Sequence, residues 1–210
     1  MANVLAPFGF QQWGTASGPP NFAEGHNPPY RIKSTWATAI FFGDAVRQWV
    51  SGDGSTSSAG YLIGWTAADG SATKILVGIF VGCSYYSTSQ KKTIFNNYWP
   101  GSDATGDVSA FVIDDPNALF KVQSASGVTN DQTVIGNGAD IAATPTGNTT
   151  TGISGMSLAA AALGAAATLP FKVVNIINSP PGANGADTTT AGNYVIVSMN
   201  NQQYKTQTGV

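Results

Sequence analysis

The stretch from Ile75 to Gln123, ILVGIFVGCSYYSTSQKKTIFNNYWPGSDATGDVSAFVIDDPNALFKVQ, constrains the fold of this chain more than any other. Two apolar runs rich in Val, Ile and Phe bracket a polar excursion tipped with aromatics, and the turn Asp-Asp-Pro-Asn follows the second run. Long β-branched and aromatic runs bounded by Gly, Pro, Asn and Asp are strand signals. In Leu119–Ser124, Phe120 and Val122 face one way and Lys121 and Gln123 the other, which is a half-buried strand. Within the strand candidate Val108–Asp114, Val108–Ile113 is apolar or small on both faces, which predicts a strand covered on both sides. Asp115-Pro116 ends it, because proline cannot donate to a ladder and holds its predecessor extended. Cys83, inside LVGIFVGC, reads as a buried, inert thiol.

The rest of the chain continues this pattern. Tyr30–Ser34, Ala45–Val50, Gly60–Trp65, Lys74–Tyr86, Thr93–Tyr98, Gln132–Ile135, Phe171–Ile177 and Tyr194–Met199 are strand candidates, separated by Gly- and Asp-containing turns such as Gly52-Asp53-Gly54 and Asp69-Gly70. Ser157–Ala167 has helix propensity through its alanines, although an extended loop fits the run equally. Residues 1–29 lack periodicity and read as an extended N-terminal arm. Its Phe8, Phe10, Trp13 and Phe22 need burial, either on the same chain or on a neighbouring subunit. The expected fold is all-β: a jelly-roll-like or β-barrel/sandwich body over residues 30–210, with at most one short helix and room for a small β subdomain.

Composition narrows the function. Charged residues make up 10% of the 210, against about 25% in an average soluble domain. A surface of hydroxyls, amides and small side chains loses little hydration on contact, which favours large permanent protein interfaces. The nine Lys and Arg are scattered and the formal net charge is −2, so no basic patch offers direct nucleic-acid binding. The start MANVLAPFGF has no basic region of a secretory signal. The Ala-rich run Met156–Phe171 is too short and broken to span a membrane. A soluble chain made in the cytoplasm is expected.

Catalytic chemistry finds few candidates. The one histidine, His26, and the one cysteine exclude a zinc site and leave a Ser–His–Asp arrangement without support. Asp114 and Asp115 are adjacent, so in a strand they point to opposite faces, unlike a glycosidase pair; Asp115 reads as a turn-former. Asp53, Asp69 and Asp140 lack the ligand spacing of a calcium loop. No cofactor or metal is expected. Tyr85, Tyr86, Tyr98 and Trp99, flanking the loop Ser87–Asn97, suit either a sugar platform or a subunit contact, and interface use is the commoner role of such rings.

Several blocks carry a resemblance. MANVLAPFGF is similar to a "MANxxAPFGF" start. FFGDAV, Phe41–Val46, is similar to an "FxGDxV" strand entry. Gly78–Asp103 is similar to a "GVFxGCxY…F…YWPxG" block, and Ala110–Gln123 to a "VxDDPxxxFxVQ" block. LPFKVVNI, Leu169–Ile176, is similar to an "LPxRVxG" strand. In this order, over most of the chain, they resemble the small capsid decoration, or cement, proteins of tailed bacteriophages; Gly14–Pro29 and Thr129–Thr168 do not align. The resemblance implies a non-enzymatic all-β virion protein, commonly a homotrimer, on the capsid exterior. Its partners are then the major capsid protein and itself, clamped against internal DNA pressure at three-fold positions. The expected interface residues are Phe8, Phe10, Trp13, Phe22, Tyr85, Tyr86, Tyr98 and Trp99, with the YWPG tip reaching a neighbouring subunit and Trp99 buried between chains. Two other readings are a carbohydrate-binding virion surface module using Tyr85, Tyr86, Tyr98 and Trp99, and a glycoside hydrolase built on clustered aspartates.

Overall fold

The computed structural model describes residues 4–16, 29–50, 58–66, 69, 74–125, 132–142, 147–159, 167–177 and 192–205. They form an all-β structure of two antiparallel sheets, and no barrel closes among them. Sheet A has the order β1-β8-β11-β10-β9, from Gln11–Thr15, Ala118–Gln123, Tyr194–Met199, Phe171–Ile176 and Gly138–Ala139. Sheet B has the order β2-β7-β5-β3-β4, from Tyr30–Ile32, Val108–Ile113, Leu76–Ser87, Ala45–Gln48 and Leu62–Gly64, with β6 (Lys92–Asn96) also paired to β5.

The 12-residue β5 is the spine of sheet B. On one side β3 pairs with its first part and β6 with its second, Cys83 to Ser87; on the other side β7 spans Ile79 to Ser84. One core lies between the sheets. Ala45, Leu76, Ile79 and Ile113 of sheet B meet Phe120, Val122, Phe171, Val173, Val195 and Val197 of sheet A. A second core covers the opposite face of sheet B: Val46, Leu62, Val77, Phe80, Cys83, Tyr85, Val108, Ala110 and Val112 pack beneath Ile40 and Trp99. This two-sided cover explains the unbroken apolar character of β5 and β7, since a strand buried on both faces needs no polar alternation.

Several expectations need correction. Gln132–Val134 is a 3-10 turn, not a strand. Gly136, with φ 92°, reverses the chain there, and Val134 enters the core from the turn. The strand partner of β10 is instead Gly138–Ala139. Ser157 to Ala159 begins the predicted helix but is extended, with Leu158 bridging Ser124 and Ile141; residues 160–166 of that run lie outside the described residues. The arm's Gln11–Thr15 is a strand at the edge of sheet A, paired with β8. Gln123, assigned to an open face, is fully buried there. Its side chain accepts the Ala6 N–H at 2.9 Å and donates to Val4 O at 2.8 Å and Gly192 O at 2.9 Å.

The FFGDAV block is a junction of three segments. Phe10 N–H donates to Gly43 O, Gly9 N–H to Met156 O, and Ser154 N–H to Phe42 O. Gly9 has φ 74°, and a Cβ there would lie 2.5 Å from the Ser154 Cβ and 2.7 Å from Gly43 O. Only glycine fits that left-handed, crowded position.

Candidate functional site

The eight residues expected at an interface divide sharply. Trp99 is fully buried in its own chain, as are Phe10 and Tyr85 at 1% and 6% exposure. The YWPG tip does not reach outward. Trp99 exchanges backbone hydrogen bonds with Ile40, and its indole N–H donates to Trp36 O at 3.1 Å. Tyr85 packs edge-on against Trp99. A Cβ on Gly101 would strike the Ala37 carbonyl, so the tip is locked onto residues 36–40. Phe10 stacks on Phe171 in the inter-sheet core at 4.3 Å. These three are therefore framework residues. Burial of Trp99 between chains is excluded by its burial within one.

Phe8 and Tyr98 are half-buried. Phe8 lies edge-on to Tyr194, with the Lys121 ammonium 5.2 Å from its ring centre, and Tyr98 stacks parallel to Phe41. Trp13 and Tyr86 are exposed, at 47% and 46%. Phe22 lies outside the described residues, as does His26.

Sequence reasoning missed the most exposed aromatic among the described residues, Phe95, at 77%. Pairing explains its position. Tyr85 opposes Ile94 and turns into the second core, so Ser84, which opposes Phe95, turns the other way. Tyr86 shares that face. On β7 the same face carries Ser109, opposite Ser84, then half-buried Phe111, and finally Ile113 in the inter-sheet core. The aromatic patch of Tyr86 and Phe95 is thus the inter-sheet face of sheet B, continued past the cover of sheet A. Arg31 joins it through a 2.9 Å bond to the Ser109 hydroxyl. Val4, Leu5 and Tyr204 are further exposed apolar residues missed from sequence.

The hairpin bearing this patch is held rigid. Asp103 accepts from the Ser87, Thr88 and Ser89 hydroxyls at 2.7, 2.8 and 3.0 Å, and from Ser89 N–H at 3.0 Å. Those donors hold its carboxyl well below the usual range. The carboxylate closes the β5–β6 turn and leaves little capacity for other chemistry.

Several other ionisable groups have structural partners too. Asp69 accepts from Arg47 at 3.0 Å, Lys74 at 2.8 Å and Thr66 N–H at 2.8 Å. Burial raises its pKa, but these donors outweigh burial and leave it lowered. Asp140 accepts from Trp65 Nε1 and Ile141 N–H, and burial keeps its pKa raised. Asp114 accepts the Tyr30 hydroxyl at 2.7 Å, while Asp115 accepts Asn117 N–H at 2.8 Å and shapes the turn. Burial pushes the Cys83 thiol up to about 12. No cluster of His, Cys, Asp or Glu suited to a metal occurs among the described residues. Among them, no helix is long and apolar enough to cross a membrane.

Searches against protein-family models, curated proteins and solved structures return no match to this chain.

Proposed function

We propose that this chain is a structural virion protein that binds the outer surface of a phage capsid and clamps neighbouring major capsid subunits. The observation that carries this reading is the rigid apolar patch of Tyr86 and Phe95 beside Arg31 on a chain with few charges. Aromatic and arginine side chains on a fixed scaffold are the composition of binding hot spots, and contact surface poor in charge loses little hydration. The ordered sequence blocks add support. Their Gly9, Gly43, Trp99, Gly101 and Asp115 sit at joints of the framework, where they specify a fold and not a reaction.

Burial of apolar area returns about 25 cal/mol per Å², so several modest footprints engaged together offset the cost of association. A homotrimer on the capsid exterior would multiply those footprints without new contacts in any one of them. Purified protein mixed with expanded, undecorated capsids should co-sediment and raise their disruption temperature. Absence of binding would overturn the proposal. Light scattering should give three times the 21.6 kDa chain mass; a monomer would remove the trimer from it.

The sugar-binding alternative loses its four-ring platform, because Tyr85 and Trp99 are buried and Tyr98 half-buried in their own chain.

A further inference from the structure

Strand β6 pairs with β5 and with no other strand among the described residues. The main-chain groups that this pairing leaves open can be identified. Tyr86 O accepts from Thr105 N–H, on the side of β5 away from β6. Tyr86 opposes Thr93, so theirs is a non-hydrogen-bonded pair of the antiparallel ladder, and Ser84–Phe95, two positions on, is another. Thr93 and Phe95 therefore turn their N–H and C=O groups away from β5, toward an edge that no described strand occupies. Both residues are exposed. β6 has no proline and no bulge. The other sheet edges are less receptive: β1 is bulged between Gln12 and Gly14, and β2, β4 and β9 have three, three and two residues. A straight, open edge can take one more strand.

Charge decides which strand fits. Lys91 and Lys92 stand exposed at the head of β6 and form no ion pair with a described residue. A second copy of the chain answers them badly. None of the edge strands β1, β2, β4, β6 and β9 contains an acidic residue, and β6 laid on itself would add two more lysines. The lysines thus act against a like strand and favour an acidic one. We propose that the β6 edge receives an extended segment of a different protein as an added antiparallel strand, apolar on the Phe95 face and acidic at the end that passes Lys91 and Lys92. Its main chain bonds to Thr93 and Phe95, its apolar side chains lie on Phe95 and Tyr86, and its carboxylates meet the two ammonium groups. The Asp103 bonds that close the β5–β6 turn hold the edge in place beforehand, so binding orders little of this chain. That the segment belongs to a major capsid subunit rests on the reading above; the edge and its preference for acid do not.

The full chain labelled with nitrogen-15 and titrated with the blocked peptide acetyl-Val-Thr-Val-Thr-Glu-Glu-amide tests the edge. The Thr93 and Phe95 amide signals should shift saturably, with a dissociation constant on the order of 1 mM. The same peptide ending in two lysines should bind at least about tenfold more weakly. Thr93→Pro removes the outward N–H and leaves the bonds to β5 in place, so it should weaken binding by a similar factor. The rest of its spectrum reports whether it is folded. If it is not, the double variant Lys91→Glu, Lys92→Glu, at exposed positions, should reverse the preference between the two peptides. No saturable shift, equal binding of both peptides, or shifts at Thr93 and Phe95 on concentrating the protein alone would overturn the proposal, the last by assigning the edge to a second copy. With expanded capsids, folded Thr93→Pro should co-sediment at least about tenfold less than wild type; equal co-sedimentation would overturn the capsid subunit as the source of the strand. The titration needs no capsid, so its failure is distinct from a failure of capsid binding.

Discussion

Trp99 and Phe95 lie four positions apart in one aromatic stretch, and the structure uses them oppositely. Trp99 is sealed under residues 36–40, while Phe95 stands on an uncovered sheet face at 77% exposure. Both are large apolar side chains, yet only one contributes to folding. The lesson extends to the sheets: sheet B is buried on both faces along most of its length, and the portion that outruns sheet A is where apolar side chains remain available.

Four substitutions would break or sharpen this contrast. Trp99→Ala should cost about 3–5 kcal/mol, because it empties a filled core site and removes the indole donor to the Trp36 carbonyl; a urea midpoint equal to wild type would refute the framework role. Asp69→Asn should cost about 3 kcal/mol at neutral pH, since it strands the buried Arg47. The lowered pKa of Asp69 makes that loss largest above the unfolded value of 3.8 and smallest in acid. The gap between wild-type and variant midpoints should therefore close as pH falls, and a gap that widens would contradict the assignment.

Asp44→Asn should act in the opposite direction. Burial pushes the Asp44 carboxyl up to about 6, against the pull of Phe41 N–H and the Ser154 hydroxyl. An acid with a raised folded pKa destabilises the fold as pH rises from 3.8 through about 6. Replacing it should stabilise the protein by at most about 3 kcal/mol at pH 7 and leave it little changed near pH 4. Equal denaturation midpoints at both pH values would show that the charge is not the cost. The smallest effect on folding belongs to Phe95→Ser, within about 0.5 kcal/mol. It should nevertheless weaken capsid co-sedimentation; unchanged binding would move the interface away from this patch.

The sequence made the strands of sheet B and the C-terminal pair legible, because their β-branched and aromatic runs are bounded by turn residues. It did not reveal β1. QQWGT alternates poorly, and its ladder exists only because β8 offers an edge more than a hundred positions away. The same non-locality hid the site. Nothing near Trp99 announces Trp36, Ala37 and Ile40 as its cover, and an aromatic tip followed by Pro-Gly looks like an exposed turn. Phe95 was readable in principle: once Ile94 is placed opposite Tyr85, strand alternation turns Phe95 the other way. The acidic pair Asp114–Asp115 was read correctly as a strand end, because the constraint there is the adjacent proline.

The strand order also imposes a sequence of assembly during synthesis. Sheet B has all its members by Ile113, so its ladders can close while the rest of the chain is still being made. Sheet A cannot: β8 sits between β1 and β11, and β11 begins only at Tyr194. Until then the inter-sheet face of sheet B, including Leu76, Ile79 and Ile113, lacks the cover that β10 and β11 supply and resembles the patch that stays open in the finished molecule. A ribosome-bound intermediate of this chain therefore exposes an enlarged version of the Tyr86–Phe95 face, the kind of transient apolar surface that makes a nascent chain prone to aggregate.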